Sequence, residues 1–363
     1  MSSQPPQTQA QILGLNFLPD LIYGQTSQVS SAAESVSPSH MSDSQAHRFR
    51  DTMKALMAKE LKGGVFQVDL TVGGAVLQAD DQIVRTVLDC LWTRHNLTPE
   101  TLIDGSQSSP IAPRLPRDGF KDELNSYIPL SHLLNKIIDV AKESIPVSYL
   151  GGRGLRFHPF GKEVNEKYGS LKGLKPDCIA VFGEELTQGD VSWENIEISI
   201  ECERSVKDMI KQVATYARCS LLNNLRRFFA LAMGFNFETL EAYIFVFHRS
   251  GLSASRPLGL KTEEGFNSFV RHIIGILSIQ GEALYGLDIT RTDTEFCIDN
   301  HFYQLDCYLY LRGSLRGRGT AVYSLKGMYQ CRFQLYLTNL SHLQHAPIIS
   351  LICNLGQYCI PRE

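Results

Sequence analysis

The sequence lacks several features that would assign a protein to a class at once. None of its nine cysteines forms a CxxC pair, the usual spacing of zinc ribbons and disulfide-exchange sites. No apolar run approaches the roughly 18 residues that a membrane-spanning helix needs. The N-terminus, "MSSQPPQTQAQ", has neither the basic nor the apolar region of a signal peptide. We therefore expect an intracellular protein of the cytoplasm or nucleus, with reduced cysteines and no membrane partner.

An excess of charge of one sign is missing too. A net charge of -3 over 363 residues gives no global attraction to nucleic acid or to anionic membranes. Binding of that kind would have to come from a local patch. The hydrophobic share of 43% and the charged share of 20% are typical of a soluble globular protein. The length is sufficient for two or three domains with their own cores.

Composition and periodicity divide the chain into five regions. The first is rich in Ser, Gln and Pro and is predicted to be disordered. The second has helical periodicity and ends in a Pro-, Ser- and Gly-rich linker, and the third alternates helical and strand patterns. The fourth is β-rich, and the tail shows no clear pattern. In order, these regions are residues 1–43, 44–115, 118–290, 300–327 and 328–363.

The second region predicts two helices. One covers "AHRFRDTMKALMAKEL", with Phe49, Met53, Leu56 and Leu61 near one face. The other covers "DDQIVRTVLDCLWTRHN" and begins with an aspartate cap.

The third region predicts an α/β domain. A helix over "FKDELNSYIPLSHLLNKIIDVAKES" has apolar residues from Leu124 onwards at helical spacing, whereas "VSYLGGRGLRFHPFG" is expected to be a loop or an irregular strand. Strands are expected at "LKPDCIAVFGEE" and "VSWENIEISIECE", in the second of which Trp193, Ile196, Ile198 and Ile200 partly alternate. A helix from 206 to 222, the strands "RRFFALAMGF" and "LEAYIFVFHRSG", and a helix in "TEEGFNSFVRHIIGILSIQG" complete the order.

Four carboxylates lie on the predicted helix and strands of this domain. Glu123 lies on the first helix of the domain, Asp177 opens a strand, and Glu201 and Glu203 close the next one. If the two strands are neighbours, two or three carboxylates converge on one sheet edge and form a hard-oxygen site suited to Mg²⁺ or Mn²⁺. The structural alternative is an acidic strand end beside solvent. Gln212 and Tyr216 lie four residues apart on one face of the following helix.

Taken in order, Pro176-Asp177, Glu201-x-Glu203 and Gln212-x-x-x-Tyr216 resemble the PD-(D/E)xK nuclease core with the QxxxY motif of its RecB-like branch. The resemblance implies metal ligands at Asp177, Glu201 and Glu203, and a further catalytic glutamate, which Glu123 matches. Glu203 stands where the family usually has Lys, although some members have Glu at that position and remain active. In some members a neighbouring helix supplies the ammonium group, and Lys207 or Lys211 matches that position.

A second resemblance covers residues 45 to 326. The segments "GLKPDCIAVF", "VSWENIEISIE", "QVATYARCSLLNNLRRFF", "IFVFHRSG", "FVRHIIGIL" and "LYGLDIT" are similar to the N-terminal half of fungal-type protein kinases. That family continues into a kinase domain with a Gly-rich turn, which "LRGRGTAVYSLKG" matches. Gly317 and Gly319 are therefore candidate nucleotide-binding residues, and a plain β-turn is the alternative.

The remaining parts of a kinase are not found in this sequence. No HRD or DFG motif occurs, Lys326 follows the glycines too closely to be the phosphate-binding lysine, and no lysine follows it. We therefore expect a truncated kinase N-lobe-like β segment after the nuclease-like core and the N-terminal helical region, and no use of ATP.

Two functions follow as hypotheses. In the first, the nuclease-like domain is a scaffold or regulatory module that binds a protein partner. In the second, it is a nuclease that depends on Mg²⁺ or Mn²⁺ and acts on nucleic acid. In the second case, basic residues near the site hold phosphates, whereas the structural alternative is a solvated helix face. These residues are Lys207, Lys211, Arg218, Arg226 and Arg227.

Overall fold

The computed structural model describes most of the chain between residues 43 and 352. The described residues are 43–61, 65–68, 77, 79–104, 115–150, 154–164, 173–183, 186, 191–224, 226–248, 251–279, 294–298, 301–311, 319–326, 332–339 and 348–352. The predicted disordered segment 1–43, apart from Asp43, lies outside them, as does much of the tail from 328 to 363.

Before residue 280 the described chain forms a mixed α/β body. Its elements are α1 (Asp43–Leu61), β1 (Val65–Val68), α2 (Asp81–Thr93), α3 (Pro99–Asp104), α4 (Leu124–Ser144), a 3₁₀ turn (Val147–Tyr149), β2 (Leu155–Pro159), β3 (Cys178–Phe182), β4 (Ile198–Cys202), α5 (Val206–Asn223), β5 (Phe229–Asn236), β6 (Glu241–His248), β7 (Gly251–Ala254), β8 (Leu258–Gly259) and α6 (Glu263–Leu277).

These strands form one mainly antiparallel sheet in the order β1-β7-β6-β5-β4-β3-β2, with β8 paired to β6. The pairs β4/β5 and β1/β7 are parallel. Parallel neighbours need a crossover connection, and α5 supplies it between β4 and β5. β1 comes from the predicted helical region 44–115, so that region adds a strand to the same sheet as the α/β elements.

Side chains alternate between two cores, one on each face of the sheet. Ile198 and Ile200 of β4 belong to the core that also contains side chains of α2, α4 and α6. Trp193 and Ile196 belong to the other core, together with side chains of α1 and α5. The expected strand therefore covers only the later two of these four residues. β4 begins only at Ile198, and all five of its residues are buried because helices cover both faces.

The predicted helices are confirmed, with differences in the residues they bury. Asp80 caps α2 by accepting hydrogen bonds from the backbone N–H groups of Gln82 and Ile83. In α1, Met57 is fully buried and Leu56 is 36% exposed, so the packed face is rotated from the predicted one. In α4, Leu124 lies outside the packed face and is 66% exposed.

The strand β2 forms where the sequence left a loop open as an alternative. It pairs with β3 on one side. On its other side, the Asn135 side chain of α4 donates to the Phe157 carbonyl oxygen (2.7 Å) and accepts from the Phe157 N–H (2.9 Å). This amide takes the place of a neighbouring strand at that position.

The residues described after 294 form a second, antiparallel sheet in the order β13-β12-β11-β10-β9. Its strands are β9 (Glu295–Ile298), β10 (His301–Leu311), β11 (Gly319–Lys326), β12 (Arg332–Asn339) and β13 (Ile348–Ile352). Gly319 is the first residue of β11, and Gly317 lies outside the described residues. Among the helices that the structure describes, none has the length and apolar character required to span a bilayer.

Candidate functional site

Asp177 links β3 to β4 through both its backbone and its side chain. Its N–H donates to the Ile200 carbonyl oxygen at 3.1 Å. Its Oδ2 accepts the Cys202 N–H at 2.7 Å. The carboxyl group thus takes over the strand pairing where the backbone ladder ends, and it is 6% exposed. Its position beside the end of β4 brings it near Glu201, as predicted for neighbouring strands.

Tyr127 of α4 joins the carboxyl groups of Glu123 and Asp177. Its hydroxyl oxygen lies 2.5 Å from Glu123 Oε1 and 2.5 Å from Asp177 Oδ1. A phenol has one hydrogen to donate. A full hydrogen bond on both sides therefore requires that one of the two carboxyl groups is protonated and donates to the phenol oxygen.

Glu201 is held by the two motif residues of α5. Gln212 Nε2 donates to Glu201 Oε1, and the Tyr216 hydroxyl group lies 2.9 Å from Oε2. The same hydroxyl is 3.2 Å from the Lys175 carbonyl oxygen. Trp193 stacks on the Tyr216 ring with centroids 5.5 Å apart, which fixes the phenol in place. The spacing of four residues therefore places both α5 side chains on one carboxylate.

The four acidic side chains influence one another electrostatically. Burial, and to a smaller extent the charges of Glu123 and Glu203, raise the pKa of Asp177 to about 7. Burial and the Asp177 charge raise the pKa of Glu201 well above its usual range. Burial also raises the pKa of Glu123, with smaller effects of Glu203 and Asp122 in the same direction. The structure thus brings the four predicted carboxylates into one cluster that favours bound protons.

Lys207 and Lys211, which were expected to supply the missing ammonium group, have different surroundings. Lys207 is exposed in the first turn of α5. The Lys211 ammonium group pairs with Asp208 at 2.8 Å. Glu203 is partly buried, and its Oε1 accepts the Arg204 N–H at 2.8 Å.

Two arginines near these elements have carboxylate partners of their own. The Arg204 guanidinium group pairs with Glu238 at 2.9 Å. Arg227, which was predicted to hold phosphate if the domain is a nuclease, is 3% exposed. It pairs with Glu197 at 2.7 Å, so this guanidinium group faces the interior.

The acidic cluster, as described, is not arranged as a divalent-metal site. Within the described ranges, no group of three or more His, Cys, Asp or Glu residues is arranged to hold a metal ion. Both oxygens of Asp177 and both of Glu201 already have hydrogen-bond partners. A bound cation would have to share these oxygens with those partners or displace them.

Tyr127 is the residue of this cluster that sequence reasoning missed. It was assigned only to the apolar face of a helix, where it is in fact 7% exposed. A signal was available, because Glu123 and Tyr127 are four residues apart, as are Gln212 and Tyr216. Cys178 and Cys202, which are neighbours of Asp177 and Glu201 in the sequence, are both fully buried.

The comparison with protein families agrees with the second resemblance. A family model described as fungal protein kinase matches residues 175–331, which is less than half of the chain. The matched segment contains Asp177, Glu201, Gln212 and Tyr216, and it begins after Glu123. Neither a curated protein nor a solved structure matches this chain.

Proposed function

We propose that the α/β body is a scaffold or regulatory module of a fungal kinase-like protein, which binds a protein partner and carries out no phosphotransfer itself. The observation that carries this proposal is the hydrogen bonding of the acidic cluster. The oxygens of Asp177 and Glu201 are held by Tyr127, Gln212, Tyr216 and the Cys202 N–H. Side chains held in this way support a fixed structural role.

The position of Glu203 supports the same proposal. An ammonium group there would orient a water molecule and offset the neighbouring carboxylates, whereas Glu203 adds a negative charge that raises the pKa of Glu123, Asp177 and Glu201. The nearby Lys211 is engaged with Asp208. For phosphotransfer, the sequence offers Gly317 and Gly319 but no HRD or DFG motif.

One observation favours the alternative, a nuclease of the PD-(D/E)xK type that depends on Mg²⁺ or Mn²⁺. Burial is the main cause of the raised pKa values of Glu123, Asp177 and Glu201, and charges of neighbouring carboxylates, Glu203 among them, add to it. Repulsion among carboxylates is a common property of metal sites. A nuclease of this kind would exchange the Tyr127 and Gln212 contacts for metal ligation when substrate binds.

The decisive experiment is a cleavage assay on single- and double-stranded DNA and RNA with Mg²⁺ or Mn²⁺. The parent chain and its Asp177→Ala variant are compared, and ATP-dependent phosphorylation is measured on the same preparations. The scaffold proposal predicts intact nucleic acid and no phosphate transfer for both chains. Metal-dependent cleavage by the parent that the variant lacks would establish the nuclease instead.

A further inference from the structure

The N-terminal end of α4 exposes two large apolar side chains next to the acidic cluster. Leu124 is 66% exposed and Ile128 is 55% exposed. They are four residues apart, so their side chains are neighbours on one face of the helix. Single exposed apolar residues are ordinary on protein surfaces. A neighbouring pair of large ones, in a helix whose other apolar residues are packed, is a candidate contact surface.

Carboxylates border this pair. Asp122 is exposed, while Glu123 and Glu203 are partly exposed. Burial is the main cause of the raised pKa of Glu123, and the charges of Glu203 and Asp122 add to it. We call Leu124, Ile128, Asp122, Glu123 and Glu203 the α4 patch.

Among the residues that the structure describes, Lys121 and Arg204 are basic side chains close to these carboxylates. Lys121 is exposed beside Asp122. Arg204 is held by Glu238 at 2.9 Å and by the Lys121 carbonyl oxygen at 3.2 Å, and its guanidinium group lies over the Phe237 ring. If Arg204 and Glu238 are counted as neutralising each other, Lys121 is left to offset the three carboxylates of the patch. The surface beside the apolar pair is therefore negative.

We propose that the α4 patch binds a peptide segment of a partner protein in which a Lys or Arg lies beside large apolar residues. The apolar side chains would cover Leu124 and Ile128, and the cation would lie against Glu123 and Glu203. This inference rests on the proposed function, because it specifies the partner that the module would bind. Charge complementarity is what selects this occupant.

The same charges argue against two other occupants. Nucleic acid presents phosphates, which the carboxylates of the patch repel. The apolar segment "ILGLNFLPDLIYG" of this chain carries Asp20, and the sequence has no Lys or Arg before Arg48. Neither supplies the cation that the patch lacks.

The test is selection of a displayed library of twelve-residue peptides on the full-length chain. We expect enriched sequences that combine Lys or Arg with adjacent Leu, Ile, Phe or Trp. The most enriched peptide is then synthesised with a fluorescent label, and its affinity is measured by anisotropy. Failure to enrich such sequences overturns the inference.

Matched variants locate the binding site of that peptide. Leu124→Ser combined with Ile128→Ser is expected to weaken binding about tenfold or more. Glu203→Gln is expected to weaken it several-fold, with a smaller difference from the parent in 0.5 M salt. The control is Tyr149→Ser, which removes another apolar side chain that is 50% exposed and should change the affinity less than about twofold. Thermal unfolding of each variant confirms that it is folded.

Three further results would overturn the inference. The first is equal binding by the parent and the Leu124/Ile128 double variant. The second is self-association of the chain that this double variant abolishes, since the occupant would then be a second copy. The third is binding of a labelled oligonucleotide that the double variant loses. Failure here is distinct from failure of the proposed function, because only metal-dependent cleavage or phosphotransfer contradicts the latter.

Discussion

A buried glutamate lies at each end of β4. One has a charged partner, and the other has neutral partners. Glu197, just before the strand, is 8% exposed and pairs with the buried guanidinium group of Arg227. Glu201, near the other end, is 5% exposed and is held by the neutral side chains of Gln212 and Tyr216. One end of the strand therefore has an ion pair. The other end has a cluster of carboxylates in which the pKa values of Glu123, Asp177 and Glu201 are raised above their usual range.

The difference predicts how each end of β4 contributes to stability. An opposite charge placed next to a buried charge offsets part of the free-energy cost of burying it. A cluster of carboxylates without a paired cation costs stability near neutral pH, because burial and repulsion both oppose ionisation. At the other end of β4, the Arg227 guanidinium group offsets the Glu197 charge. We therefore expect substitutions at the two ends of β4 to have opposite effects on stability.

The largest effect is expected from Arg227→Met. It leaves the Glu197 charge buried without its partner, and we expect the free energy of unfolding to fall by about 3–5 kcal/mol. Urea denaturation at pH 7.5 measures this loss. The double variant Glu197→Leu/Arg227→Met should recover most of it, because it removes both charges together. A double variant as unstable as the single one would contradict the interpretation of the pair as a balanced charge.

At the other end, Asp177→Asn should stabilise the protein. Burial raises the pKa of Asp177 to about 7 in the fold, whereas an exposed aspartate in the unfolded chain has a pKa near 3.9. The folded state therefore binds the proton more tightly. As the pH rises from about 4 to about 7, the free energy of unfolding falls by on the order of 3 kcal/mol for this group.

Asparagine at 177 cannot ionise, so the variant should lack this loss. Its amide can still accept the Cys202 N–H and donate towards Tyr127. We expect parent and variant to have similar melting temperatures at pH 4.5 and the variant to melt higher at pH 8. A melting temperature of the parent that rises between pH 5 and pH 8 relative to the variant would show that the sign is wrong.

Tyr216→Phe tests the hydrogen bonds to Glu201 with a smaller expected effect. The phenol hydroxyl lies within hydrogen-bond distance of the buried Glu201 carboxyl group and of the Lys175 carbonyl oxygen. Its loss should therefore destabilise the fold by about 1–2 kcal/mol. The matched control is Tyr243→Phe. That hydroxyl donates to Glu241, which also accepts from Thr239, so a smaller loss is expected. Equal losses in chemical denaturation would indicate that Glu201 does not depend on Tyr216.

Much of this architecture was open to prediction because its signals are local. Asp80 caps α2 as expected, and the α5 pattern predicts a helix whose Gln212 and Tyr216 share one face. The order of Asp177 and Glu201 on neighbouring strands predicts their proximity, since β3 and β4 do pair. In each case a short stretch of sequence carries the information.

The rest depends on contacts that are distant in sequence. The sequence did not distinguish β2 from a loop, because the hydrogen bonds at its edge come from Asn135, about twenty residues earlier in a helix. β1 and β7 are short, and their parallel pairing joins residues far apart in the chain. The exposure of Leu124 could not be predicted from helical spacing, because spacing shows which residues share a face but not what covers that face.

The smallest effect we expect is that of Glu203→Lys, which restores a cation to the last position of the triplet. Burial is the main cause of the raised pKa values of Glu123, Asp177 and Glu201, and the Glu203 charge adds a smaller contribution to each. Reversing it should lower those pKa values and stabilise the fold at pH 8 by under about 1 kcal/mol, since the side chain is partly exposed and screened. The gain should shrink in 0.5 M salt.

Asp89→Lys on the exposed face of α2 is the control for a general effect of added positive charge. If both variants gain the same stability, the gain comes from net charge and not from the acidic cluster. If only Glu203→Lys gains, repulsion around Glu201 limits the stability of this end of β4. A cation at position 203 would then make the two ends of the strand more alike, because each buried glutamate would have a positive charge nearby.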